Sequence, residues 1–209
     1  MSVPAPRRAP TGRGVIGHSS TIDPAAIRVW NGLRISGTDR TWCELAPLLD
    51  LGDLVAAGDF LVHHRLPLTD IDQLAAAVQA SGLRRGLALA TRAIPLLSTR
   101  SESRRESILR VILVTAGVPG LAVNVPITTT DGYAYRGDLA FPHAKVVVEY
   151  QSDYHREPEQ FRRDMTRKSR LQADGWLVVE VNADDLADPV ELVARIRRVL
   201  SARTIGARA

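Results

Sequence analysis

Apolar positions recur at helical spacing through the first half of the chain, and the pattern then changes to short β-branched runs separated by turns. Residues 41–49 and 51–62 read as two helices divided near Asp50, with Thr69 placed as the cap of a third; residues 83–96 give a fourth that Pro95 ends or kinks. Ahead of them, VIGHSS and GLRIS have the composition of short strands. SRRESILRVILVTAGVP then predicts a helix with Ser103 as N-cap and Glu106 three residues on. Apolar Ile108, Ile112 and Ala116 follow before Gly117 and Pro119 end it.

Residues 133–141 form an apolar run that Pro142 and His143 break, and Val146, Val147 and Val148 resume it, so a β-hairpin is expected. A helix over 157–174 with Gly175 past its end, a strand over 176–182 and a helix from Pro189 with Leu192, Val193, Ile196, Val199 and Leu200 on one stripe complete the pattern. The organisation predicted is a disordered tail over 1–14, a mostly helical region over 15–100, a mixed α/β domain over 101–202 with its sheet flanked by helices, and a short tail over 203–209. The polar stretch STRSES marks the boundary.

Side chains alternate across a strand, which puts Glu149 and Gln151 on one face with Val147, and Val146, Val148 and Tyr150 on the other, buried face. A loop of two or four residues sets Asp138 opposite or diagonal to Glu149. Two converging carboxylates suit a hard cation such as Mg²⁺, which keeps several waters and is completed by substrate phosphates; Mn²⁺ is the alternative ion. Glu106 admits two roles, since Ser-x-x-Glu is also a capping box. The helix over 157–174 carries Arg162, Arg163, Arg167, Lys168 and Arg170, a basic face that either meets solvent or binds phosphates.

The chain has 209 residues, 45% of them hydrophobic, enough for one good core or two small ones. Basic residues number 27 against 23 acidic ones, a net charge of +4 that is compatible with an anionic partner and identifies none. A single cysteine, Cys43, excludes an internal disulfide and a cysteine-rich zinc site, and fits a reducing, cytoplasmic setting as a small buried hydrophobe. No stretch has the roughly 18 apolar residues of a membrane span, and the N-terminus lacks the apolar core of a signal peptide. His63 and His64 show no metal-ligand spacing and are not expected to face one another, while His143 is expected to meet water. Asp53 and Asp59 read as a first-turn charge and a surface group, and Trp42 as an indole buried against the next helix.

Taken in order, residues 103 to about 200 resemble the nuclease domain related to very-short-patch-repair endonucleases, within the PD-(D/E)XK superfamily. The likeness rests on Glu106, Ser107 and Arg110 in the first helix; on Asp138, Leu139, Ala140 and Pro142; on Val148, Glu149, Tyr150 and His155; on Asp164 and Arg167; and on Leu171, Gly175 and Trp176. The resemblance implies a restriction-endonuclease-like fold and a divalent-metal-dependent DNA endonuclease. Asp138 and Glu149 would hold Mg²⁺, with Glu106 supporting the metal water or a second ion. Gln151 would position the nucleophile, and His155 with Arg167 would handle the proton or the leaving phosphate. Gln151 stands where the superfamily has lysine, so it can orient water but supplies no charge. His155 equally suits a backbone hydrogen bond at a strand-to-helix corner.

GLRISGTDRTWCELAPLL resembles the segment that, in actinobacterial relatives, joins a winged-helix domain of abortive-infection-antitoxin type to the nuclease domain. The winged helix itself is expected to be missing, in a short family member or one whose start has been lost. Two further readings stand beside the endonuclease: a DNA-binding or regulatory protein on the nuclease fold with weak or no cleavage, and a structural partner protein without nucleic-acid contact. A homodimer is left open.

Overall fold

The computed structural model describes residues 2–20, 23–82, 85–151 and 158–206. Strands β1 (Ser2–Pro4) and β2 (His18–Ser20) pair in parallel where the sequence suggested a tail running to residue 14. A hairpin of β3 (Ile27–Trp30) and β4 (Leu33–Ser36) follows, and then four helices: α1 (Thr38–Leu45), α2 (Leu51–Leu61), α3 (Ile71–Ala80) and α4 (Leu87–Ala93). Helix α5 (Arg104–Thr115) leads into β5 (Ala122–Thr128), β6 (Ala134–Phe141) and β7 (Val146–Tyr150). Helix α6 (Pro158–Ala173), β8 (Leu177–Val181), α7 (Ala183–Ala187) and α8 (Pro189–Gly206) complete the chain.

The central sheet has the order β5-β6-β7-β8, antiparallel except for the parallel pair β7–β8, so it is mixed and flanked by helices, with a helix-rich region before it. Strand β5 lies outside the sequence expectation because Pro126 interrupts its apolar run; an edge strand tolerates a proline that a central one would not. The short α7 is likewise additional, held by a capping box between Asn182 and Asp185.

The sheet is covered on both sides, which corrects the expectation that only the Val146, Val148 and Tyr150 face is buried. On that face Val146 and Val148 pack with Leu109 and Leu113 of α5, Phe141, and Leu192 and Ile196 of α8. On the other, Val147 packs with Ile127, Ala140 and Leu171 of α6. Three consecutive valines, all fully buried, are the signature of a two-faced interior strand rather than of alternation.

The helical region has its own core. Trp42 is fully buried and its indole N–H donates to the Leu54 carbonyl at 2.9 Å. Gly58 permits this approach, since a Cβ there would lie 2.4 Å from Leu97 Cδ2 and 3.0 Å from Trp42 Nε1. Cys43 is buried as expected. The cap of α3 is Asp70, whose carboxylate accepts from the Gln73 N–H at 2.7 Å, while Thr69 bonds the Gln73 side chain. The fourth helix is shorter than predicted, starting after Gly86 (φ 78°), with a 3₁₀ turn over Ile94–Leu96. The His63 and His64 rings do meet, with centroids 4.6 Å apart, because both lie past the end of α2, where helical side-chain directions no longer apply.

Helix α5 belongs to both cores: Val111 joins the helical cluster, while Leu109 and Leu113 join the sheet's. A buried polar tie accompanies it. Asp59, expected on the surface, is only 1% exposed, and its carboxylate accepts from Arg110 Nη2 at 2.5 Å, the Ser107 hydroxyl at 2.6 Å and the Ser98 N–H at 2.7 Å. Burial pushes the Asp59 carboxyl above its ordinary value, with Arg110, Ser107 and Ser98 acting in the other direction. Arg110 also reaches the Leu96 carbonyl.

Candidate active site

The β6–β7 ladder begins at Phe141↔Val146, giving a four-residue turn, and ends at Leu139↔Val148. Asp138 and Glu149 are the next residues outward, just past the point where regular pairing stops, and the Glu149 charge is felt at Asp138. On its other side β6 skips a pair as well: Val123↔Leu139 and Val125↔Gly137 are joined, but Asn124 and Asp138 between them are not, and Asn124 takes φ 54°. This irregularity changes which side the strand presents. Tyr135 packs in the same cluster as Ala140 and Val147, and a Cβ on Gly137 would meet Val147, although strict alternation puts 135 and 137 opposite to 140.

Tyr135 is the residue that the sequence reading missed. Its hydroxyl donates to Glu149 Oε1, and burial followed by the Glu149 charge pushes its pKa up, so it remains a donor. Arg167 Nη2 bonds Glu149 Oε2 at 2.8 Å, lies 3.6 Å from Asp164, and stacks over the Tyr135 ring at 5.2 Å. Glu149 and Asp164 are themselves buried. Arg167 Nε is buried without a partner, so the guanidinium is only partly satisfied by the acids around it.

Asp138 is treated differently. Its carboxyl is pushed up to about 6, first by burial and then by the charges of Glu106 and Glu149, with Arg136 and Arg167 acting in the other direction. Among the described residues it has no hydrogen-bond or ion-pair partner. Glu106 serves the helix start: Ser103 accepts from the Glu106 N–H at 3.2 Å, and Glu106 Oε2 accepts from the Glu102 N–H at 3.1 Å. Its other carboxylate oxygen has no hydrogen-bond partner among the described residues, and its charge is felt at Asp138. Gln151 follows β7, its N–H donating to the Val181 carbonyl at 2.7 Å. His155 lies outside the described residues.

The donor set is all oxygen and anionic, which fits a hard divalent cation rather than zinc. The fit is one of chemistry: among the described residues no three His, Cys, Asp or Glu side chains are gathered around one point as metal ligands. Both Glu149 oxygens already carry a donor, but each has a further lone pair to offer.

The basic residues of α6 are largely engaged within the chain. Arg163 pairs with Glu159 at 2.6 Å, Lys168 with Glu180, and Arg170 lies 3.6 Å from Asp131 and over the Tyr133 ring at 4.8 Å. Arg162, Arg163, Arg167, Arg170, Thr166 and Tyr133 nonetheless line a shallow cavity of about 470 Å³ that opens beside Glu149's partner.

Fold and site together define a mixed α/β protein in which Asp138 and Glu149 stand just past the end of the β6–β7 pairing. Two proteins of Mycobacterium tuberculosis are similar to it, each 36% identical over 119 residues: uncharacterized protein MT2308 of strain CDC 1551 / Oshkosh and uncharacterized protein Rv2248 of strain ATCC 25618 / H37Rv. The match covers 56% of this chain and 44% of each relative, so the chain spans less than half the length of the curated relatives it matches. No family model matches the chain, and no solved structure matches it. Among the described residues no helix is long and apolar enough to cross a membrane.

Proposed function

We propose that the chain carries a divalent-metal-dependent DNA endonuclease of the PD-(D/E)XK, very-short-patch-repair-like kind on a restriction-endonuclease-like fold. The observation that carries this reading is a half-buried Asp138, its carboxyl pushed up by burial and then by the charges of Glu106 and Glu149 against the weaker pull of Arg136 and Arg167, with no hydrogen-bond or ion-pair partner among the described residues. Asp138 and Glu149 would hold Mg²⁺ or Mn²⁺, with Glu106 in support. The bound ion would supply positive charge to the phosphate and lower the pKa of a water. Tyr135 fixes the Glu149 carboxylate through one oxygen, and Arg167 through the other. Arg167 would supply the positive charge that Gln151 lacks, its guanidinium being suited to a phosphate oxygen. Gln151 orients the attacking water by hydrogen bonding.

A second reading, a DNA-binding or regulatory protein on the same fold without cleavage, draws on Gln151 in place of lysine and on Arg167 already neutralising Glu149. Plasmid nicking separates the two. Purified protein is expected to relax supercoiled plasmid with Mg²⁺ or Mn²⁺ and not with EDTA, and Asp138→Ala to abolish nicking while retaining duplex binding. Wild-type protein that binds duplex but never nicks under either metal selects the second reading.

A further inference from the structure

All of the chain's net charge lies in its first 38 residues: Arg7, Arg8, Arg13, Arg28 and Arg34 stand against the single acid Asp23, leaving twenty-two basic and twenty-two acidic residues in the remainder. The β3–β4 hairpin at the end of this segment is bare. Every residue from Arg28 to Ser36 is exposed, including Val29 at 73%, Trp30 at 62% and Leu33 at 63%. Its turn is well specified, since Trp30↔Leu33 closes a two-residue loop whose Asn31 and Gly32 both take positive φ, 47° and 76°, as a type I′ turn requires. A two-stranded ribbon with both faces in water is marginal by itself, so one encoded this firmly is shaped for a partner.

We propose that this ribbon and the arginine-bearing segment before it form an arm that grips duplex DNA away from the carboxylate site. A two-stranded ribbon fits the major groove, where side chains meet base edges and the long arginines can reach the flanking phosphates. The cross-strand register matches that use: Arg28, Ile35, Trp30 and Leu33 share one face, and Val29 and Arg34 the other, so each face mixes an arginine with apolar groups. A membrane-inserting hairpin would instead segregate them. Arg7, Arg8, Arg13 and Arg34 have no acidic partner among the described residues, whereas Arg163, Arg167, Lys168 and Arg170 of α6 all do. The choice of DNA rests on the function proposed above; the grip itself needs no cleavage.

Fluorescence anisotropy of a short labelled duplex with the full chain in EDTA tests the arm apart from the chemistry. Arg28→Gln combined with Arg34→Gln is expected to weaken binding about tenfold near physiological salt, and to flatten the slope of log affinity against log salt by about 0.9 per arginine. Arg7→Gln with Arg8→Gln and Arg13→Gln should flatten it further. Trp30→Ala should weaken binding about fivefold at an unchanged slope, through lost apolar contact in the groove. Thermal midpoints should stay at the wild-type value, because these side chains are exposed. Loss of duplex binding in the arm variants upholds the arm even where wild-type protein never nicks plasmid, a result that would sink only the nuclease reading. Duplex binding unaltered by the arm variants overturns the arm even where nicking is robust. It is overturned too if wild-type protein does not bind duplex, or if the variants lose self-association or binding to anionic phosphatidylglycerol vesicles while duplex binding is untouched.

Discussion

Asp59 and Asp138 lie near the same helix, and the chain treats their carboxylates in opposite ways. Asp59, behind α5, is sealed from water and surrounded by donors from Ser98, Ser107 and Arg110. Asp138, which feels the charge of Glu106 in the first turn of α5, is partly buried and next to carboxylates instead. A buried charge with a full set of donors is finished structure, whereas a buried charge next to like charges is held at a cost that a proton or a cation relieves. The motif Glu106, Ser107 and Arg110 straddles both regions: its serine and arginine complete the Asp59 tie, and its glutamate crowds Asp138.

Breaking the tie gives the largest expected effect. Asp59→Ala leaves Arg110 buried without its counter-ion and should destabilise the protein by about 3–5 kcal/mol in chemical denaturation. A loss below about 1 kcal/mol would show that the helical region and the sheet do not depend on it. Asp138→Asn should act in the opposite direction, and its pH dependence sharpens the contrast. The folded protein raises this carboxyl from 3.8 to about 6, so its favourable contribution is complete below about pH 4 and is lost as pH rises through 6. The variant should therefore be about 1–2 kcal/mol more stable than wild type at pH 8, allowing for solvent screening, with no gain at pH 4. Equal stability at both pH values would mean that burial and the neighbouring carboxylates do not raise this carboxyl. The smallest effect belongs to the outer face of α6, where Arg163→Ala removes an exposed pair with Glu159 and should cost roughly 0.3–0.5 kcal/mol. A loss of several kcal/mol there would erase the distinction between surface pairs and the tie.

The β6–β7 hairpin was legible because Pro142 and His143 break two apolar runs at a spacing that a four-residue turn satisfies, and Asp138 and Glu149 follow from that register. Trp42 and Cys43 were legible because an aromatic and a small apolar group have few alternatives to burial in a helical cluster. Asp59 was not, since a lone acid after an apolar stretch has the appearance of a surface charge, and its partners come from residues about 40 to 50 positions away. Tyr135 was hidden by the broken step at Asn124 and Asp138, which strand alternation does not encode. The basic row on α6 was visible as composition, but the acids that occupy it, Glu149, Glu180 and Asp131, lie on other segments.

If the raised Asp138 carboxyl is kept for a divalent cation, thermal midpoints at neutral pH should respond to a Mn²⁺ titration. Wild-type protein should begin with the lower midpoint and gain stability with Mn²⁺, by about 2.7 kcal/mol when the ion is a hundredfold above its dissociation constant. Asp138→Asn should begin higher and stay there. A variant that gains as much as wild type, or a wild type that does not respond to the ion at all, would contradict the account.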